Sequence, residues 1–141
     1  MDCLDKEKGI FLVSACLVGL ATRYDGRIKE NRDCRLFLEG RVWLPVCPEQ
    51  LGGLATPRPA ADIVGGDGGA VLDGKARVVT VTGVDVSARF IAGARQVLVI
   101  AGQQQICGVC LKSGSPSCAV RGVQGVTAAL LARHGLALHE F

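Results

Sequence analysis

Three short apolar runs, residues 10–15 (IFLVSA), 42–46 (VWLPV) and 106–111 (ICGVCL), constrain this chain more than anything else in it. Each is continuous rather than alternating, and each stops abruptly, at Cys16 and Gly19, at Cys47-Pro48 and at Lys112-Ser113-Gly114. Such lengths suit strands, and an uninterrupted apolar run suits a strand buried on both faces. Helical patterns separate the runs. Residues 31–38 are a short candidate helix, and Asp85 can N-cap a second in which Val86, Phe90, Ile91, Ala94, Val97 and Leu98 recur at helical spacing. Residues 123–134 make a closing helix stopped by Gly135, before a last strand at 136–138. Strands alternating with helices predict an α/β fold, a mostly parallel, Rossmann-like three-layer sheet. Two segments stand outside that pattern. Residues 52–69 (GGLATPRPAADIVGGDGG) carry no period and read as loop, and segments 70–72 and 76–81 flank Asp73-Gly74, a turn signal that predicts an appended β-hairpin.

A chain of 141 residues, 49% of them apolar, reads as one domain over residues 1–141. Folding at this size buries about two thirds of the extended chain's surface, so a core forms without disulfide staples. A net charge of +3 and six aromatics exclude a strong nucleic-acid footprint or a stacking platform, so a tRNA partner is not indicated, while a small anionic ligand is compatible. Residues 9–21 have the greasiness of a secretory core, but residues 1–8 carry Asp2, Asp5 and Glu7 against Lys6 and Lys8, where a signal peptide wants positive charge. Residues 1–8 are expected to be a flexible N-terminus. No other apolar run reaches the roughly 18 residues of a membrane span, so the expected location is cytoplasmic. Seven cysteines in a reducing compartment point to metal binding, catalysis or core packing before disulfides. The oligomeric state is left open.

In open α/β sheets, ligands bind outside the carboxyl ends of the strands. Cys16 follows the first run, Cys47 the second, and Cys118 lies in the loop after the third, so three thiols 31 and 71 residues apart are expected to meet at one edge. Spacing leaves a zinc ion, an iron–sulfur cluster and a redox site all open. Structural zinc is closed by four ligands, and His134 and His139 sit at the far end of the chain; a four-iron cluster held by three cysteines keeps one iron free as a Lewis acid. Cys107 and Cys110 form a C-x2-C within a strand, where positions three apart are expected on opposite faces, which argues against a shared ion or bond. Cys34 and Cys3 read as incidental. Arg58, between Pro57 and Pro59, sits on a stiff loop and suits an anion or a ring oxygen. Arg23 and Asp25 read equally as a turn ion pair or as ligand contacts, and Gly65-Gly66-Asp67-Gly68-Gly69 reads as a turn because no helix follows it directly.

The segments VSACLVG (13–19), RYDG (23–26), VCPEQLGGL (46–54), TPRP (56–59), LDGKARV (72–78) and KSGSPSC (112–118) occur in this order. Together they resemble the thiouracil desulfurase (TudS) family, from about residue 10 to the end. The resemblance implies a non-redox, hydrolytic enzyme that removes sulfur from a thiouracil-type base, nucleoside or nucleotide. It implies a 4Fe-4S cluster whose metal ligands are Cys16, Cys47 and Cys118. It implies Glu49 as the proton shuttle, with Ser113 or Ser115 orienting substrate or water; Arg58, Arg23 and Asp25 are candidate substrate contacts on the chemistry of the residues alone. A carboxylate near such a cluster can work as a base near neutrality. Where the family reads S-R-S-P-S-C-G, Gly114 and Ala119 replace Arg and Gly, and only AVRGVQG separates Cys118 from the closing helix. The competing expectation is a zinc- or persulfide-binding sulfur carrier without hydrolytic activity.

Overall fold

In the computed structural model, residues 9–141 are described; the expectations for residues 1–8, Cys3 included, lie outside them. The three apolar runs become parallel strands β1 (Ile10–Ser14), β2 (Val42–Val46) and β5 (Ile106–Leu111), joined by β6 (Leu138–Glu140) in the order β2-β1-β5-β6. β1 is central, and its side chains divide the core in two. Phe11 and Val13 face helix α1 (Arg32–Leu38) with Leu17, Cys34 and Leu38, while Leu12 faces α4 (Ser87–Gly102) and α5 (Val126–Arg133) with Val97, Val109, Leu111 and Leu131. Period-two alternation is what lets one strand feed both layers, and the expected helix–sheet–helix sandwich results. Asn31 starts α1 as read, its Oδ1 accepting from Cys34 N at 2.9 Å.

A second sheet of two antiparallel strands, β3 (Ala61–Val64) and β4 (Arg77–Thr80), stands beside the first. The hairpin expected across Asp73-Gly74 does not form there. Residues Gly68–Leu72 form a short helix, α3, N-capped by Asp67 through Ala70 N, and Asp73-Gly74 ends it, with Gly74 at φ 74°. Asp-Gly serves a helix end as well as a hairpin tip, and burial of Val71 against Val78, Phe90 and Val126 decides between them. The partner of β4 lies inside 52–69, read as loop because its four residues sit between Pro59 and two glycines.

Smaller differences have local causes. The closing helix begins at Val126, not 123, because Gly122 and Gly125 precede it and Val123 is exposed; Gly135, at φ 77°, ends it as expected, and the last strand follows at 138–140. Asp85 Oδ1 accepts from Ser87 N at 2.9 Å, although Val86 is the last non-helical residue. The opposite-face argument for Cys107 and Cys110 also fails. Pairing jumps from Ile10↔Ile106 to Phe11↔Gly108, so Cys107 is the extra residue of a bulge and both side chains pack toward the α1 layer. They still do not pair: Cys110 is free, fully buried and packed in the same core cluster as Cys34, whereas Cys107 is disulfide-bonded. No helix of the described residues is long and apolar enough to cross a membrane.

Candidate active site

At the carboxyl ends of β1, β2 and β5 lies a cavity of about 380 Å³. Cys16, Cys47 and Cys118 all line it, each delivered by the turn that follows its strand. Cys16 sits in a single 3₁₀ turn (Ala15–Val18) that Gly19 closes at φ 89°. Cys47 is the residue before the short helix α2 (Pro48–Leu51), and its Sγ–H donates to Thr22 O at 3.8 Å. Cys118 is held by Ser115, whose Oγ accepts from Cys118 N at 3.1 Å and Ser117 N at 3.2 Å.

The electrostatics place these sulfurs within one another's field. Burial first, and then Cys47, raise the Cys16 thiol; Lys112 and Arg23 work the other way. Cys118 is pushed up to about 11, chiefly by burial, against hydrogen bonds from Ser117 and Ser14 and with Glu49 and Cys16 adding to the rise. Deprotonating such thiols together requires a cation among them. Among the described residues no three His, Cys, Asp or Glu side chains are grouped to hold a metal ion. Three thiols lining one cavity are a soft, thiophilic donor set of the kind an iron–sulfur group takes. His134 and His139 do not line the cavity; His139 packs against Phe11 and Phe37.

Glu49, Arg23, Arg58, Ser113 and Ser115 also line the cavity, and Asp25 does not. Asp25 instead takes a bidentate pair from Arg23, at 3.1 and 3.0 Å, and the backbone N–H of Arg27, which hold its carboxyl down to about 2. The two serines separate clearly. Ser115 Oγ is committed to two backbone N–H groups and to Ser117 Oγ at 3.0 Å, whereas Ser113 Oγ meets Lys112 Nζ at 3.2 Å and keeps its own proton to donate. Arg58, expected as a ligand contact, spends its donors on the protein: Nε on Glu49 Oε1, Nη1 on Ala55 O and Thr56 Oγ1, Nη2 on Thr22 O.

Sequence reading missed Ser14, Lys112 and Ser117. Ser117 is 1% exposed and donates to Glu49 Oε2 at 2.9 Å; Ser14, the only polar residue of β1, accepts from Lys112 N at 3.1 Å. A hydroxyl at the end of a buried run and another beside Cys118 were the available signals, and neither is distinguishable from a turn residue without the fold.

A family model described as 2-thiouracil desulfurase matches residues 11–140. The uncharacterized protein YbbK of Bacillus subtilis (strain 168) is 38% identical over 138 residues, covering 89% of this chain and 91% of its own. A solved structure named as the 4Fe-4S-dependent thiouracil desulfidase TudS superposes with a TM-score of 0.76 at 40% identity, covering 94% of this chain and 91% of that one. The matched stretch contains every turn that carries Cys16, Cys47 and Cys118, and this chain belongs to the 2-thiouracil desulfurase family.

Proposed function

We propose that this protein is a thiouracil desulfurase that exchanges the ring sulfur of a thiolated pyrimidine base, nucleoside or nucleotide for an oxygen atom of water, at a 4Fe-4S cluster held by Cys16, Cys47 and Cys118. The observation that carries the reading is that those three thiols and Glu49 all line one cavity; family membership and the named structural relative support it. When bound, the cluster supplies a Lewis-acidic iron with an affinity for sulfur.

The chain's own groups do the rest. The reaction, C=S plus water giving C=O plus hydrogen sulfide, moves protons but no net electrons, so it needs a base rather than a redox partner. Glu49, on the cavity lining, is the base: its carboxylate takes a proton from water and returns it to the departing sulfur. The Ser113 hydroxyl, with its proton uncommitted, orients the pyrimidine oxygen or the water. Arg23, held by Asp25, presents its remaining N–H edge to the same space, and Lys112 adds a cation that favours the thiolate form of Cys16.

Anaerobic reconstitution with iron and sulfide, followed by incubation with 4-thiouracil, 2-thiouracil and 4-thiouridine monophosphate, tests the proposal. Sulfide release together with broad absorbance near 400 nm is expected, and Cys47→Ala abolishes release. Undiminished turnover in that variant, or a colourless protein holding one zinc, overturns it.

A further inference from the structure

The Glu49 carboxylate is gripped from both sides, and its two partners belong to different loops. Arg58 Nε donates to Oε1 at 3.0 Å and Ser117 Oγ to Oε2 at 2.9 Å. The Arg58 and Glu49 side chains are only 6% and 15% exposed. Ser117 in turn lies 3.0 Å from Ser115 Oγ and 3.5 Å from Cys118 Sγ.

From this geometry we infer that Arg58 and Ser117 are positioning residues, which fix Glu49 from its two oxygens and knit the three cysteine turns into one rim, without touching substrate. The part concerning Glu49 as the base rests on the function proposed above; the knitting of the rim does not.

Arg58 Nη2 donates to Thr22 O at 2.9 Å, and Arg58 N donates to Tyr24 O at 2.8 Å, so the residue is anchored to the segment after Cys16. Thr22 O is also the acceptor for the Cys47 thiol. Through Glu49 the guanidinium reaches α2, two residues past Cys47, and Glu49 passes the tie to Ser117, next to Cys118. One planar fork with donors aimed at four acceptor groups is what arginine offers and lysine does not. The ion pair is also a partition: Glu49 and Arg58 line both the main cavity and a smaller one, of about 170 Å³, walled by Leu54, Pro59, Val84 and Phe90. An arginine with four hydrogen bonds to protein has little left for a ligand.

The test uses Arg58→Gln, Arg58→Lys and Ser117→Ala in the full chain. Three quantities are measured: kcat and KM for 4-thiouracil, the Kd of uracil for iron-loaded protein, and the rate at which iodoacetamide alkylates Cys118 in iron-free protein. Misplacing the base should cost about tenfold to a hundredfold in kcat while KM and the uracil Kd stay within about twofold. Arg58→Lys should resemble Arg58→Gln, because it keeps the charge and loses the fork. Cys118 alkylation should quicken by about tenfold in Arg58→Gln as the rim opens. A uracil Kd raised more than about tenfold at unchanged kcat makes Arg58 a substrate contact and overturns the inference. Unchanged alkylation overturns the rim. If wild-type protein releases no sulfide, the proposed function fails while the alkylation rates still decide the rim; if Arg58→Gln does not fold, Ser117→Ala probes the same carboxylate from its other oxygen.

Discussion

At the scale of single residues, the site shows that a hydroxyl's role follows from how many of its hydrogen bonds the protein already uses. Ser113 and Ser115 are equivalent in sequence, both flanking Gly114, and differ entirely in commitment. Ser115→Ala strands two backbone N–H groups beside Cys118 and should lower stability by about 1–3 kcal/mol, measured by urea denaturation of the iron-free protein. Ser113→Ala removes no comparable acceptor and should leave stability within about 0.5 kcal/mol. Its effect should appear in thiouracil kinetics. The reverse pattern would mean that Ser115, not Ser113, faces the ligand. Arg58 teaches the same lesson in charge: a stiff Pro-Arg-Pro loop suggests a cation aimed outward, but its acceptors lie inside the protein. What a side chain offers a ligand is what remains after its neighbours are served.

At the scale of elements, close backbone contact sets where the chemistry-bearing turns can sit. Helix α2, which carries Glu49, lies flush on α4 because both contribute glycine at the crossing. A Cβ on Gly93 would stand 1.8 Å from Pro48 O, and one on Gly52 2.1 Å from Arg89 O. Gly93→Ala should therefore push α2 off its seat, at a cost of about 1–3 kcal/mol, and loosen Cys47 with it. Gly102 ends the same helix with nothing within 4 Å of its Cβ, so Gly102→Ala is the control and should be neutral or stabilising by up to about 1 kcal/mol. Paired thermal melts check the contrast. Legibility at this scale was uneven. The strands β1 and β5 and helix α4 were readable because burial sets their apolar patterns; β2 forms where expected, but as an edge strand with Val42 58% exposed it is not buried on both faces. The second sheet was not: β3 and β4 are four residues each, 12 residues separate them, and a helix ends at the Asp-Gly that suggested a turn.

At the scale of the whole molecule, the core and the cavity are separate achievements of the fold. The two core layers are closed by apolar side chains on either side of the sheet, and the cavity lies beyond the strand ends, held by hydrogen bonds and an ion pair. A cluster bound there should stabilise by mass action without being needed for folding. Removing iron with a chelator should lower the melting temperature by several degrees while far-ultraviolet circular dichroism keeps its native shape. Loss of the helical signal on chelation would instead make the metal part of the fold itself.

The amino-acid sequence alone determined the class of fold and the three cysteines worth following, because uninterrupted apolar runs leave few ways to bury themselves and a parallel sheet gathers its strand ends on one edge. Only tertiary structure decided which strand β4 would pair with, which serine keeps a free proton, and that Arg58 holds Glu49 instead of facing the cavity unpaired. Those outcomes depend on contacts between residues up to 68 positions apart, such as Ser117 with Glu49. Local pattern records what a segment prefers, and such contacts are settled by which segments arrive together.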